Sequence, residues 1–208
     1  MAGKRRLIIA LTGASGTIYG IRALELLRQV ESIETHVVIS PAAARTSLAE
    51  TDRSLDDIKG LADQVYSHRD IGASIASGSF RTIGMLIAPC SVKTLSGIAH
   101  CRSDDLVVRA ADVCLKERRR VVLLFRETPL HAGHIDLMAQ ANHNGAIVMP
   151  PVPAMYARPQ TIQDMVDQTV GRSLDLFDID LPIVKRWTEG VKEIEQGEAT
   201  IRSLDESD

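Results

Sequence analysis

The stretch Leu11–Gly20, LTGASGTIYG, decides how this chain reads. It closes an apolar run, Leu7–Leu11, and opens a segment, Ile18–Val30, in which Ile21, Leu24, Leu27 and Val30 recur at helical spacing. Gly13, Gly16 and Gly20 stand in the order G-x-x-G-x-x-x-G, not G-x-G-x-x-G. The next apolar run, THVVI at Thr35–Ile39, ends in Ser40 and Pro41, with no acidic residue placed to hold a ribose. Both features argue against a dinucleotide cofactor of the NAD kind. A Gly-rich turn at a helix start still presents backbone N–H groups to an anion or an electron-rich ring edge, and its other reading is a plain strand-to-helix turn.

Working outward, the same alternation continues. A helix is expected over Pro41–Ala49, since Pro suits a first helical turn, and another over Leu55–Ala62. Met85–Ala88 reads as a strand closed by Pro89, Val121–Phe125 (VVLLF) as a fully buried strand, and Ala146–Met149 as a further one. Helices are expected over Lys93–Ala99, Leu106–Glu117, Ile135–Asn142 and Ile162–Leu176. Unbroken apolar strands alternating with helices define a parallel sheet covered on both faces: a doubly wound, Rossmann-like α/β fold. With no internal repeat or long linker, the expectation is one domain over 1–208, with a charged tail from about 188.

The chain has 208 residues, 45% hydrophobic and 25% charged, with a net charge of −3. This suits a globular domain and supplies no overall basic field for nucleic acid. The basic triplets Lys4-Arg5-Arg6 and Arg118-Arg119-Arg120 adjoin strands and read as solvated strand ends. No apolar run is long enough for a membrane span. Three cysteines without C-x-x-C spacing argue against disulfides or structural zinc and for a reducing cytoplasm.

In doubly wound folds ligands lie at the carboxyl ends of strands. The third strand runs into APCSVKTLSG, where Ser91, Lys93 and Thr94 combine hydroxyl donors, a cation and a helix start, a phosphate-binding combination. Its other reading is an N-cap Ser91 beside a surface Lys93, and Cys90 is read as a buried structural thiol. Arg126 and Glu127 directly follow the VVLLF strand, where an unpaired charge is costly without a ligand. His131 and His134 are one helical turn apart, but no carboxylate completes a metal set, and His36, His68 and His100 read as structural or exposed. Four prolines among residues 150–159 stiffen the segment carrying Tyr156 and Arg158. Asp104-Asp105 reads as a helix N-cap.

Taken together and in order, TGASG…YG, SLAETD, SGSF, PCSVKTLSG, RAADVCLKERR, RETPLH and PPVPAMY resemble the bacterial flavin prenyltransferases, long described as ubiquinone-pathway 3-polyprenyl-4-hydroxybenzoate carboxy-lyases or phenylacrylic acid decarboxylase subunits. The resemblance runs from about Arg6 to Trp187. It implies a flavodoxin-type sheet binding FMN and metal-free transfer of a dimethylallyl group from dimethylallyl phosphate to N5 and C6 of reduced FMN. The prenylated FMN formed would serve partner decarboxylases of aromatic and α,β-unsaturated acids. It further implies a homododecamer with sites between subunits.

The resemblance also implies roles. Gly13, Ala14, Ser15 and Ser40 would contact the flavin, the glycines letting backbone approach it. Ser91, Val92, Lys93 and Thr94 would hold the FMN phosphate region, and Arg126 the flavin or the donor phosphate. Tyr156 and Arg172 would bind dimethylallyl phosphate, with Lys116 and Arg109 from a neighbouring chain neutralising the leaving phosphate. Glu50 with Ser15 would relay protons, Glu127 is a second acid–base or orienting candidate, and Trp187 would stabilise an allylic cation through its π face. Two other readings compete: an FMN-dependent decarboxylase related to the cysteine decarboxylases, and a non-catalytic flavin-binding subunit of a decarboxylase.

Overall fold

The computed structural model describes residues 3–187. The charged tail from about 188 therefore lies outside the described residues. Six parallel strands form one sheet in the order β3-β2-β1-β4-β5-β6: β1 (Arg5–Leu11), β2 (Ile33–Ile39), β3 (Gln64–Tyr66), β4 (Gly84–Cys90), β5 (Arg120–Phe125) and β6 (Ile147–Val148). This is the Rossmann order, and without the three-residue edge strand β3 it becomes the flavodoxin order. The expected doubly wound fold is what the chain adopts. Among the described residues six α-helices lie between the strands, α1 (Thr17–Leu27), α2 (Pro41–Glu50), α3 (Leu55–Lys59), α4 (Val92–Ala99), α5 (Leu106–Lys116) and α6 (Ala132–His143), and α7 (Ile162–Asp175) follows β6.

Side-chain alternation along the strands builds two core layers. Leu7, Ile9 and Leu11 of β1 pack with Leu24 of α1 and with Val166 and Val170 of α7. Their neighbours Ile8 and Ala10 point the other way, into a layer with Leu95 of α4 and Leu106 of α5. The central strands have both faces buried, which is why they read as unbroken apolar runs. Burying each large aliphatic side chain stabilises the sheet by about 1.5–3 kcal/mol, so these strands are the rigid frame on which the loops hang.

Three local expectations are corrected. Edge strand β3 was not read, because its residues are exposed or half-buried and carry no apolar run. Pro89 does not close β4: with a cis Ala88–Pro89 bond it sits inside the strand, at a register irregularity between Ile87 and Cys90 where the ladder does not need its missing N–H. The second basic triplet is not simply solvated, for Arg119 donates to the carbonyls of Phe80 (2.8 Å) and Gly78 (2.6 Å). Helix α1 ends at Leu27 and α6 starts at Ala132, shifts of a few residues at frayed or capped ends.

Candidate active site

The chain order reverses between β1 and β4, and at the carboxyl ends of the strands there lies a cleft of about 840 Å³. Gly13, Ala14 and Ser15 line it from the turn after β1 and Ser40 from the turn after β2. Ser91, Val92, Lys93 and Thr94 line it from the start of α4, and Arg126 and Glu127 from the turn after β5. All nine residues expected to hold the flavin thus meet in one cleft, together with Glu127.

Four helices, α1, α2, α4 and α5, start at this cleft, each N-terminus carrying about half a positive charge, and that of α5 is capped by the Asp105 carboxylate, which accepts from Val108 N–H (3.0 Å). They are not equivalent. The N-terminus of α1 is closed by Glu50 at the end of α2. Its carboxylate accepts from Gly16 N–H (3.0 Å), Thr17 N–H (2.9 Å) and the Thr17 hydroxyl (2.8 Å), and from the Ser15 side chain. Partial burial raises the Glu50 pKa, but the hydrogen bonds from Ser15, Thr17 and Gly16 outweigh it and hold the group below the ordinary carboxylate range. Glu50 is therefore held in its ionised form, next to the cleft-lining Ser15.

The other two N-termini are capped by hydroxyls. Ser40 Oγ accepts from Ala43 N–H (3.1 Å), and Ser91 Oγ accepts from Thr94 N–H (3.4 Å) while donating to Thr94 Oγ1 (3.2 Å). The Ser40 oxygen caps with a lone pair and still carries a proton to donate, so its capping and ligand-binding readings coexist; the Ser91 proton goes to Thr94 Oγ1, which leaves the Thr94 hydroxyl as the donor at the start of α4. The Val92 and Lys93 N–H groups have no intrahelical acceptor in the first turn. Thr12 fixes this corner: its Oγ1 donates to Pro89 O (2.7 Å) and accepts from Ser91 N–H (2.8 Å).

Charge around the cleft is mixed but ordered. Lys93 is 3.6 Å from Asp105, the N-cap of α5, and the lining also includes the cationic Arg45 and Arg69 and the His68 ring. The last three were not anticipated. His68, expected to be structural or exposed, lines the cleft because β3 directs the residues after Tyr66 to the same end of the sheet as the other strand ends. Arg126 also approaches Tyr19 of α1, whose phenol is pushed up by burial and partly drawn back by that guanidinium. The Cys90 thiol is fully buried and pushed up by desolvation, as a structural thiol should be.

The glycines of the opening turn have internal reasons as well. A Cβ on Gly13 would collide with the Ala42 Cβ, and one on Gly20 with the Ala88 carbonyl and Leu11. Gly16 takes φ +100° as it starts α1. Of the expected flavin approach, only Gly13 lines the cleft; Gly16 and Gly20 serve the turn and the packing of α1 on β4.

The remaining candidates stand in two other groups. Buried Gln168 of α7 donates to the Tyr156 hydroxyl (3.2 Å) and the Lys185 carbonyl (3.1 Å) and accepts from Lys185 N–H (2.9 Å). This sets Tyr156 edge-on to Trp187, ring centroids 5.4 Å apart. Arg172, one turn along α7 from Gln168, pairs with Asp175 (2.6 Å), which also pairs with Arg186 (2.5 Å). Arg109 and Lys116 lie on α5, paired with Asp112 (3.0 Å) and Glu117. Lys116 ends α5 just before β5 begins, at the end of the sheet opposite the cleft. Gln168 was missed by sequence reading: a polar residue within an amphipathic helix gives no sign that its side chain is buried.

The sequence matches the Flavoprotein family over residues 1–174. It is 58% identical over 185 residues to the flavin prenyltransferase UbiX of Escherichia coli K12, covering 88% of this chain and 98% of that one. Two solved structures superpose closely. One is AnUbiX (PadA1) in complex with FMN and dimethylallyl pyrophosphate, at TM-score 0.85 and 47% identity over 88% of this chain and 97% of that chain. The other is a dodecameric FMN-dependent UbiX-like decarboxylase from Escherichia coli O157:H7, at TM-score 0.86 and 44% identity over 88% and 98%. Fold and cleft are those of a flavoprotein. The chain belongs to that family and, within it, to the flavin prenyltransferases.

Proposed function

We propose that this enzyme transfers a dimethylallyl group from dimethylallyl phosphate to N5 and C6 of reduced FMN, closing a fourth ring and releasing phosphate with the oxygen of the broken C–O bond. The observation that carries the reading is the division of labour among the helix starts. At α1 the positive end is taken up by the Glu50 carboxylate, which stands behind the cleft-lining Ser15. At α2 and α4 it is open to an anion. A phosphorylated, nitrogen-rich planar ligand needs both: a phosphate cradle and a nearby proton acceptor.

In this reading Ser91–Thr94 hold the phosphate end of FMN, and Gly13, Ala14, Ser15, Ser40 and Arg126 hold the flavin. Reduced FMN supplies the nucleophilic nitrogen and carbon. Ser15 Oγ takes up a proton released at the ring as its own passes to Glu50, and Glu127 orients the loop through its bond to Thr128 N–H (3.0 Å). Cations and a phenol at the donor phosphate, from Arg172, Tyr156, Lys116 and Arg109, neutralise the leaving group. The Trp187 face lies beside Tyr156, where an allylic cation would be stabilised.

Lys116 and Arg109 lie on α5, so the reading requires a neighbouring chain to bring them, in a homo-oligomer of the dodecameric kind. The prenylated flavin then passes to a decarboxylase of aromatic or unsaturated acids. Anaerobic incubation of the purified protein with reduced FMN and dimethylallyl phosphate tests this, with the flavin mass as readout. A gain of one C5H8 unit is expected. An unchanged flavin that stays bound would instead favour a flavin-binding subunit without this chemistry.

A further inference from the structure

The loop Ser74–Phe80 is pinned at both ends by groups that take no part in the chemistry above. At its start, Ser74 Oγ is 2.9 Å from the Tyr66 hydroxyl, which is 2.9 Å from Nδ1 of His36. His36 lies in β2, is almost wholly buried, and has Nε2 3.2 Å from Glu34 Oε1. Ser74, Tyr66 and His36 thus form one continuous hydrogen-bonded chain, with the Tyr66 hydroxyl at its centre. At the other end, Arg119 donates to the carbonyls of Gly78 and Phe80. The Phe80 ring packs edge-on to His36 (5.3 Å) and under the Arg6 guanidinium (4.6 Å). A buried histidine is expensive to keep unless its hydrogen bonds specify something. Here they fix a loop that is otherwise rich in Gly, Ala and Ser.

What the fixed loop touches is Lys116. A Cβ on Gly78 would stand 2.8 Å from Lys116 Nζ and would collide with Glu117, so the paired Lys116 and Glu117 side chains lie across Gly78. We propose that the Ser74–Phe80 loop is a platform that positions the Lys116 ammonium. His36, Tyr66 and Arg119 are positioning residues, Gly78 is the surface Lys116 rests on, and together they set affinity for the dimethylallyl phosphate donor without touching it. This rests on the reading of Lys116 as a donor-phosphate ligand.

Two mild substitutions test it in the full-length protein. Tyr66→Phe keeps the ring and removes both hydrogen bonds of the hydroxyl. Gly78→Ala leaves the loop anchored and pushes aside only the flexible ends of Lys116 and Glu117. Each is expected to raise KM for dimethylallyl phosphate about fivefold, with kcat and the Kd for FMN unchanged. Lys116→Met is measured alongside. If it raises KM while neither loop variant does, the platform is overturned. A parallel loss of FMN affinity in the loop variants overturns it too, because the damage is then general. If Lys116→Met leaves KM unmoved, the assignment of Lys116 fails, and the platform with it.

Discussion

The cleft at the carboxyl ends of the strands and the outer groups on α5 and α7 are built on different principles. In the cleft, the candidate ligands sit on the turns that end β1, β2, β4 and β5 or on the first turn of α4, so the forces that form the sheet also place the site. In the outer groups the cations are satisfied locally: Arg172 by Asp175, Arg109 by Asp112, Lys116 by Glu117. A local pair at a half-exposed surface contributes at most about 1 kcal/mol, so it yields readily to a doubly charged phosphate. In the function proposed above, the difference separates a preassembled flavin cradle from a donor site completed by exchange of partners and, for α5, by another chain.

The cradle side of this comparison breaks most sharply at Glu50. Glu50→Gln keeps the shape and an acceptor oxygen but removes the base. Turnover should fall by about 10²–10⁴-fold while FMN remains bound, followed by flavin mass under anaerobic conditions and by flavin fluorescence. Turnover equal to wild type would remove Glu50 from the proton path. The outer side breaks next, by complementation. Glu50→Gln and Lys116→Met are each expected to be impaired alone. Co-expressed, they should form mixed oligomers in which some sites combine an intact Glu50 from one subunit with an intact Lys116 from another. Activity above that of either variant is the expected result; its absence would place Lys116 and Glu50 of one site on the same chain. A smaller effect is expected at Arg126. Arg126→Gln removes one charged hydrogen-bond donor from the cradle and should weaken FMN binding about tenfold, read by fluorescence titration. Unchanged affinity would leave Arg126 to the donor phosphate.

The same contrast explains what the sequence could disclose. Strands β1, β4 and β5 are apolar on both faces, and the question put to the ends of β4 and β5 reaches Ser91 and Arg126 directly, while Ser15 after β1 is singled out by the resemblance. Where a strand was not seen, its end was not questioned. QVY at β3 has two exposed residues and one half-buried, so of the two residues that follow it into the cleft His68 reads as structural or exposed and Arg69 carries no signal. Glu50 shows a different limit. On residue type alone it is an ordinary acid at a helix end; only the resemblance singled it out, and only three-dimensional structure shows it closing another helix 33 residues away in the chain. Gln168 and the His36–Tyr66–Ser74 chain carry no sequence signal at all, because burial of a polar side chain is decided by tertiary packing rather than by local pattern.

The smallest expected effect separates the structural role of Glu50 from its chemical one. Its folded-state pKa lies below the ordinary value of 4.5, because Ser15, Thr17 and Gly16 donate to the ionised form. A depressed carboxylate binds fewer protons folded than unfolded, so it adds stability that is fully present above pH 4.5. That contribution is lost as pH falls through the folded-state value. Thermal unfolding of the flavin-free protein should therefore show a Tm that declines on acidification below this point. In Glu50→Gln, which cannot titrate, that part of the decline should be absent, so the two Tm curves converge as pH drops. At neutral pH the variant should be slightly less stable, since a neutral amide answers the positive start of α1 less well than a carboxylate. Parallel curves across the acid range would mean that the carboxylate contributes nothing to holding the LTGASG turn, and that its hydrogen bonds to Gly16 and Thr17 are incidental to the fold.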